Sequence, residues 1–396
     1  MTIEIKDTDS IIIGSTVYKI SDLSQDLKNA IITKLEGTTT PYLKPDISQV
    51  YNVSDFDTIS SKILSKGTYS YYRTGAEDEI TLKENELAFK RIYFKPRILN
   101  SVNDVNIKTE ILGSSTDVPF YITAFAGANL ENNLEGELPL AAAASKANVI
   151  QMIPCLSIIP IPKLSEANPL DKWIQIYVRS SIEESLELIR IAEETGTIKT
   201  VFFTVDVAQL GRRETESRVK NNSQFSKPGP ISSDLNWDHI KFLKNQTKLK
   251  VVLKGVQTYE DVIKAIEAGV DGVVISNHGG RQLDTARSPI EILAEVSPRL
   301  KSENLFEKIE ILIDGGVRRG SDIVKALALG AKGVGIGRPF LYALQSYGEV
   351  GASKVIEIFK NEVELTLRLL GVNDLKQLNE NYLSLIDLVG NRATSA

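Results

Sequence analysis

Two histidines, His239 and His278, and one cysteine, Cys155, are all the imidazole and thiol in a chain of 396 residues. Sites built from several Cys and His ligands are therefore excluded, zinc fingers, iron–sulfur ligation and zincin chemistry among them, as is an intrachain disulfide. Acid–base chemistry that needs an imidazole has only two places to sit. The window Ser276-Asn-His-Gly-Gly-Arg-Gln-Leu-Asp284 is the more informative. Two glycines after His278 let backbone approach a ligand closely, and Arg281 can place a guanidinium over the same site as the imidazole. The plainer alternative is a core histidine with a turn behind it, but arginine and paired glycines are poor core material.

Two further windows suit an anion. Asp314-Gly-Gly-Val-Arg-Arg-Gly and Gly333-Val-Gly-Ile-Gly-Arg-Pro expose glycine amides beside arginines, the chemistry of a phosphate cradle. The second is not a dinucleotide fingerprint, because Arg-Pro stands where the third glycine should be. Thr204-Val-Asp206, with Arg213 seven residues on, adds a carboxylate and a second cation. A buried carboxylate needs a partner; His278 can supply it, or Asp206 can form a structural bridge with Arg212 or Arg213. Lys254 follows Val-Val-Leu, where a functional lysine competes with an ordinary solvated one. Tyr71 and Tyr72 read equally well as packing aromatics.

Elements able to position these residues recur along the chain. Eight short apolar runs rich in β-branched residues, at 119–123, 149–153, 174–178, 201–206, 250–254, 272–277, 310–314 and 333–337, read as buried parallel strands. Between them lie amphipathic stretches with helix punctuation: Ser181 with Glu184 and Thr258 with Asp261 as capping boxes, Ser321 as an N-cap, and Gly196, Gly269 and Gly330 as stops. Eight strand–helix units over about 250 residues predict an α/β fold, a closed (β/α)8 TIM barrel, in preference to an open doubly wound sheet. In such a barrel function sits at the C-terminal strand ends, and that is where Thr123, Gln151, Gln175, Tyr177, Thr204, Asp206, Lys254, His278, Asp314 and Arg338 fall.

The expected organisation is a small extension at 1–50, a helical lead-in at 51–114, the barrel at 115–375 with a polar lid at 207–236, and a tail at 376–396. With 46 basic and 51 acidic residues the net charge is −5, which argues against a sequence-independent nucleic-acid binder. No run reaches the roughly 18 apolar residues of a membrane span, and the N-terminus lacks a signal-peptide layout. A cytoplasmic protein is the expectation, with no C-terminal peroxisomal address.

Taken together these windows strongly resemble the FMN-dependent L-2-hydroxyacid oxidoreductase family, which includes lactate dehydrogenases carrying flavin and haem, lactate oxidases and glycolate oxidases. The resemblance runs from about Val53 to Leu370 and is carried by Tyr71-Tyr-x-x-Gly-Ala-x-Asp-Glu, Gln175-Ile-Tyr, Thr204-Val-Asp, Leu210-Gly-Arg-Arg-Glu, Leu253-Lys-Gly, SNHGGRQLD, DGGVRRG and GIGRPFLYA. It is nearest in flavour to the flavin domain of the flavin-and-haem enzymes. It implies FMN as cofactor, no metal, a homotetramer, and oxidation of a small L-2-hydroxy acid, L-lactate first and glycolate next, with electrons passed to O2 or an external acceptor.

By the same resemblance His278 is the base, Asp206 stabilises its imidazolium, Arg281 and Tyr71 bind the substrate carboxylate, Tyr177 meets the substrate hydroxyl and Arg213 is a second cation. Lys254 stands beside the flavin, which Ala124, Ala126, Gln175, Thr204 and Ser276 also contact. Asp314, Gly315, Gly316, Arg318, Gly337 and Arg338 match the ribityl and phosphate site. The pattern breaks at Phe125, where a threonine is usual, and at Pro154, where serine or threonine is common; both changes remove a hydroxyl. A haem module is not expected, since the first histidine is His239. A flavin-binding relative without turnover, or a flavin-free sugar-phosphate barrel, are the competing functions.

Overall fold

A computed structural model describes residues 3–7, 10–13, 16–28, 42–131, 135–219 and 231–385. Eight parallel strands carry it: β1 (Phe120–Ile122), β2 (Met152–Pro154), β3 (Lys172–Tyr177), β4 (Ile198–Thr204), β5 (Lys250–Val256), β6 (Gly272–Ile275), β7 (Glu310–Asp314) and β8 (Gly333–Ile336). Their order in the sheet is β1-β8-β7-β6-β5-β4-β3-β2. The seam between β1 and β2 is bridged at Ile122 and Gln151, where the Ile122 N–H donates to the Ile150 carbonyl at 3.0 Å. The predicted (β/α)8 barrel is therefore the observed one, and the doubly wound alternative is set aside. Parallel register aligns Thr204 with both Tyr177 and Lys254, which brings the polar strand ends level.

The barrel interior is filled by one inward layer: Tyr121, Met152, Trp173, Phe202, Val252, Val274 and Leu312, one from each of β1 to β7. The rings of Tyr121 and Trp173 meet at 4.9 Å and those of Trp173 and Phe202 at 5.0 Å. Strand β8 contributes Gly335 instead, because a Cβ there would stand 2.9 Å from the Tyr121 ring. An antiparallel hairpin, Thr109–Ile111 with Ser114–Thr116, plugs the opposite end with Ile111 and Leu112. A Cβ at Gly272 or Gly333 would meet Leu112 at 3.2 Å or Ile111 at 2.6 Å. Removing a fully buried ring such as Trp173 from this layer costs about 3–5 kcal/mol.

Outside the barrel the helices pack their apolar faces on the strands, and the 33-residue helix Arg338–Leu370, kinked at Gly348 (φ 59°), lies against the helices Val53–Ile63 and Leu138–Ala147. Thr258 caps its helix, accepting from the Asp261 N–H, but the reciprocal half of the expected box does not form, because the Asp261 carboxylate accepts from the Thr258 hydroxyl rather than from its backbone N–H. Two expected caps are corrected. Ser181 stands at the N-cap, but its hydroxyl turns to the Glu183 carboxylate at 2.6 Å and leaves the backbone uncapped. The helix assigned to Ser321 starts at Gly320; its end is capped from inside by Asp322, which accepts from the N–H groups of Arg318 and Arg319 at 3.0 Å each.

The lead-in is helical only to Arg91; Ile92–Phe94 then pairs with Leu383–Leu385, so part of the expected tail is sheet. Within the expected lid, the helix Glu214–Val219 is described, and residues 220–230 lie outside the described residues, as do 386–396 of the tail and, in the 1–50 extension, residues 1–2, 8–9, 14–15 and 29–41. Among the described residues no helix is long and apolar enough to cross a membrane.

Candidate active site

His278 lies three residues past the end of β6 with φ +58°, a left-handed conformation that costs a non-glycine residue about 1–2 kcal/mol. Its surroundings impose that turn. The His278 N–H donates to Ser276 Oγ at 3.1 Å, and the Gly280 N–H donates to Asn277 Oδ1 at 3.0 Å. Asn277 is in turn locked to Asn85 of the lead-in helix Ile80–Leu87 by reciprocal amide bonds of 2.7 and 2.9 Å. Gly280, at φ +74°, admits no side chain, since a Cβ would stand 2.7 Å from the Leu82 backbone.

So placed, His278 Nδ1 meets Asp206 Oδ1 at 3.0 Å. Asp206 is buried just past β4, in space left by Gly255, where a Cβ would fall 2.5 Å from the Asp206 carboxyl carbon. Because a carboxylate only accepts, the ring proton belongs on Nδ1, and the Nε2 lone pair turns to Tyr177 Oη at 3.4 Å. Burial pushes the His278 pKa below its ordinary value of 6.5, against the opposing pull of Asp206. The imidazole is thus neutral at pH 7, ready to accept a proton and backed by an anion once it has done so. Asp206 does not pair with Arg212 or Arg213: Arg212 reaches Glu214 and Arg213 turns to Glu216. His239 sits at a helix start, its Nδ1 accepting from the Asn236 N–H, and does not line the cavity.

Two guanidiniums converge beside the imidazole. Arg281 donates to the carbonyls of Tyr71 and Thr74 at 2.7 and 2.9 Å and lies 5.0 Å from the Tyr71 ring centre. Burial and the neighbouring charge of Arg213 push its pKa down to about 9, the mark of a cation with too little anion around it. Arg213 has a buried Nε with no hydrogen-bond partner among the described residues. Such a pair suits an incoming carboxylate.

Across the cavity Lys254, 6 % exposed at its side chain, pairs with Asp314 at 3.2 Å and lies 3.4 Å from Ser276 Oγ. Burial alone would discharge Lys254, but Asp314 and Asp206 outweigh it and raise its pKa above 10.5. Gln175 donates to Thr204 at 2.8 Å, and Thr123 donates to Asp314 at 3.3 Å. Beyond β7, Gly315 and Gly316 take φ +101° and +81°, and a Cβ at Gly316 would stand 1.9 Å from the Asn85 carbonyl oxygen. Gly337 precedes the helix Arg338–Leu370, whose N-terminus favours an anion. Arg318 bridges to Glu86 at 2.8 Å, while Arg338 donates to the carbonyls of Tyr72, Gly279 and Thr74.

His278, Tyr177, Arg281, Arg213, Lys254, Gln175, Thr204, Thr123, Asp314, Arg318 and Arg338 line one cavity of about 330 Å³, within the range of small-molecule sites, whereas Asp206, Ser276, Asn277 and Asn85 do not line it and act through the residues they hold. Ala124, Phe125, Ala126, Pro154, Leu156 and Leu210 form its apolar wall. A buried ammonium and polar strand ends on one side, with glycine turns, Arg318 and a helix N-terminus on the other, fit a flat polar ring carrying a phosphate tail. The residues present therefore suit FMN. Phe125 and Pro154, the two departures, both lie on the wall. Arg338 is engaged with three carbonyls, while Arg318 donates to one, that of Val317 at 2.9 Å, besides its bridge to Glu86.

Sequence reasoning missed Asn85, Gln282 and Glu216. Gln282 donates to the Asp206 and Gln209 carbonyls and accepts from the Gly211 N–H, tying the start of the expected lid to the His278 turn. Only Glu216 left a legible signal, an acid three residues after Arg213. Among the described residues no group of His, Cys, Asp and Glu could hold a metal ion.

The chain matches the model of the FMN-dependent dehydrogenases over residues 60–231 and 222–385. It is 43 % identical over 390 residues to the L-lactate dehydrogenase (cytochrome) of Wickerhamomyces anomalus, covering 94 % of this chain and 67 % of that protein. It is 38 % identical over 358 residues to a peroxisomal (S)-2-hydroxyacid oxidase of Arabidopsis thaliana, covering 85 % and 97 %. The recombinant flavin-binding domain of baker's yeast flavocytochrome b2 superimposes with a TM-score of 0.85 at 44 % identity, covering 95 % of this chain and 94 % of that one. The chain spans about two thirds of the length of the cytochrome-type lactate dehydrogenases it matches.

Proposed function

The chain belongs to the FMN-dependent dehydrogenase family, and from that premise we propose that it oxidises a small L-2-hydroxy acid, L-lactate foremost, to the 2-oxo acid, passing electrons to dioxygen or an external carrier. This is an FMN-dependent L-2-hydroxyacid dehydrogenase or oxidase, an oxidoreductase acting on an alcohol.

The observation that carries the reading is His278 paired with Asp206 at 3.0 Å on a cavity that also presents Arg281 and Arg213. Arg281, with Tyr71 beside it, holds the substrate carboxylate, and Tyr177 orients the substrate hydroxyl. His278 accepts one of the two protons the substrate loses, at Nε2, and Asp206 then stabilises the imidazolium. FMN, when bound, supplies the acceptor for the two electrons. Gln175, Thr204 and Lys254 would hold its ring, the Lys254 ammonium offsetting negative charge as it develops there, whereas Ser276, expected as a ring contact, is fully buried off the cavity with its hydroxyl donated to Asp314 and so positions Asp314 and the His278 turn instead. Asp314, Gly315, Gly316, Arg318, Gly337 and Arg338 would hold the ribityl and phosphate.

Anaerobic mixing of the yellow holoprotein with L-lactate, glycolate and longer 2-hydroxy acids tests this, followed by admission of air. Bleaching by L-lactate is the expected result, and a colour that no 2-hydroxy acid bleaches overturns the reading. Rapid return of colour in air assigns dioxygen as acceptor; slow return assigns an external carrier.

A further inference from the structure

We propose that Glu216 sets the number of negative charges the substrate can bring, restricting the site to 2-hydroxy monocarboxylates over dicarboxylates. This rests on the reading of the cavity as a 2-hydroxy acid site. Glu216 lies on the short helix Glu214–Val219 and lines the cavity with only 6 % of its side chain exposed. A buried acid of that kind persists only with cationic company. It has two such neighbours: Glu216 Oε2 stands 3.7 Å from Arg213 Nη1 and 3.8 Å from Arg281 Nη2. Both separations exceed a close hydrogen bond, so each guanidinium keeps donors for a second anion.

The charge count follows from the pairs. Lys254 is matched by Asp314, and Asp206 keeps its negative charge beside the neutral His278. Arg338, the next cation along the wall, keeps its positive charge, since the backbone carbonyls it binds carry none, and this charge offsets that of Asp206. The cradle of Arg213, Arg281 and Glu216 therefore carries one net positive charge, which a single carboxylate neutralises. A second carboxylate would enter a buried site with no counter-charge, where a lone ion is costly. Without the charge of Glu216 the cradle carries two positive charges and tolerates a dianion.

The test reads binding of unreactive anions of matched size, butyrate and succinate, by their perturbation of the holoprotein's visible spectrum at constant ionic strength, in the parent, Glu216→Gln and Glu216→Asp. The parent is expected to prefer butyrate, Glu216→Gln to shift the succinate-to-butyrate affinity ratio about ten- to hundredfold toward succinate, and Glu216→Asp to keep the parent's ratio. A ratio unchanged in Glu216→Gln, even with both anions bound more weakly, overturns the proposal and reduces Glu216 to a support for the arginines. A parent that prefers succinate overturns it as well. Because these anions are not oxidised, the result stands apart from turnover of L-lactate, whose absence would defeat the functional reading instead.

Discussion

Replacing Asp206 with asparagine keeps the shape of the side chain and removes its charge, which isolates what the carboxylate does for His278. The two groups touch at 3.0 Å between Oδ1 and Nδ1 in a site where Asp206 is 2 % exposed. Unit charges about 4 Å apart at an effective dielectric near 20 attract by about 4 kcal/mol. That attraction exists only once the imidazole is protonated, so it belongs to the step in which His278 accepts its proton. At about 1.4 kcal/mol per tenfold, the variant should reduce its flavin about a thousandfold more slowly with L-lactate, measured anaerobically by stopped flow.

The pH profile supplies a second reading. His278 must be neutral to act, so the rate falls as pH drops through its pKa, already below 6.5 because burial outweighs Asp206. Without Asp206 the opposing pull is gone, the pKa drops further, and the acidic limb of the profile should move to lower pH. A loss of less than about threefold, or an acidic limb that stays in place, would refute the assignment of Asp206 as the partner of the base.

Gly316→Ala should yield a folded, colourless protein, because its Cβ would stand 1.9 Å from the Asn85 carbonyl at φ +81°; FMN content after purification checks it. Arg281→Lys should raise the KM for L-lactate about ten- to hundredfold, since an ammonium cannot hold the Tyr71 and Thr74 carbonyls and still offer a planar two-point contact; steady-state kinetics at saturating acceptor decide it. Phe125→Thr with Pro154→Ser should tighten FMN retention, each restored hydroxyl contributing about 1 kcal/mol. An FMN dissociation rate equal to the parent's would make both departures neutral.

The barrel was legible because most strands announce themselves twice, by a β-branched run and by polar residues toward the C-terminal end: Gln175 and Tyr177 on β3, Thr204 on β4, Lys254 on β5 and Asp314 on β7 all stand on their strands, whereas Gln151, expected at the end of the second strand, precedes β2 and does not line the cavity. The caps were less legible, because Ser181 and Ser321 have the right chemistry but nearby acids compete for the same role. The left-handed turn at His278 was hidden, since two following glycines permit it but only Ser276, Asn277 and Asn85 compel it. Local pattern also says nothing about contacts across the chain. Asn85 reads as one polar residue in a helix, and the carbonyls that occupy Arg281 and Arg338 have no side-chain signature at all.

Those same contacts bear on how the protein assembles. Arg281 reaches the Tyr71 carbonyl across 210 residues of chain, Arg338 reaches that of Tyr72 across 266, and Asn85 meets Asn277 across 192. Each such closure costs loop entropy before it returns any stabilisation, so pairings of this span form late. Strands β2 to β7 join neighbours close in sequence and can associate early, whereas the wall made by residues 71–85 must dock onto an existing barrel. A refolding chain would accordingly acquire most of its parallel sheet while still unable to retain flavin. Recovery of yellow colour would then report the arrival of the lead-in segment rather than closure of the sheet, giving this chain a built-in optical marker for its last folding step.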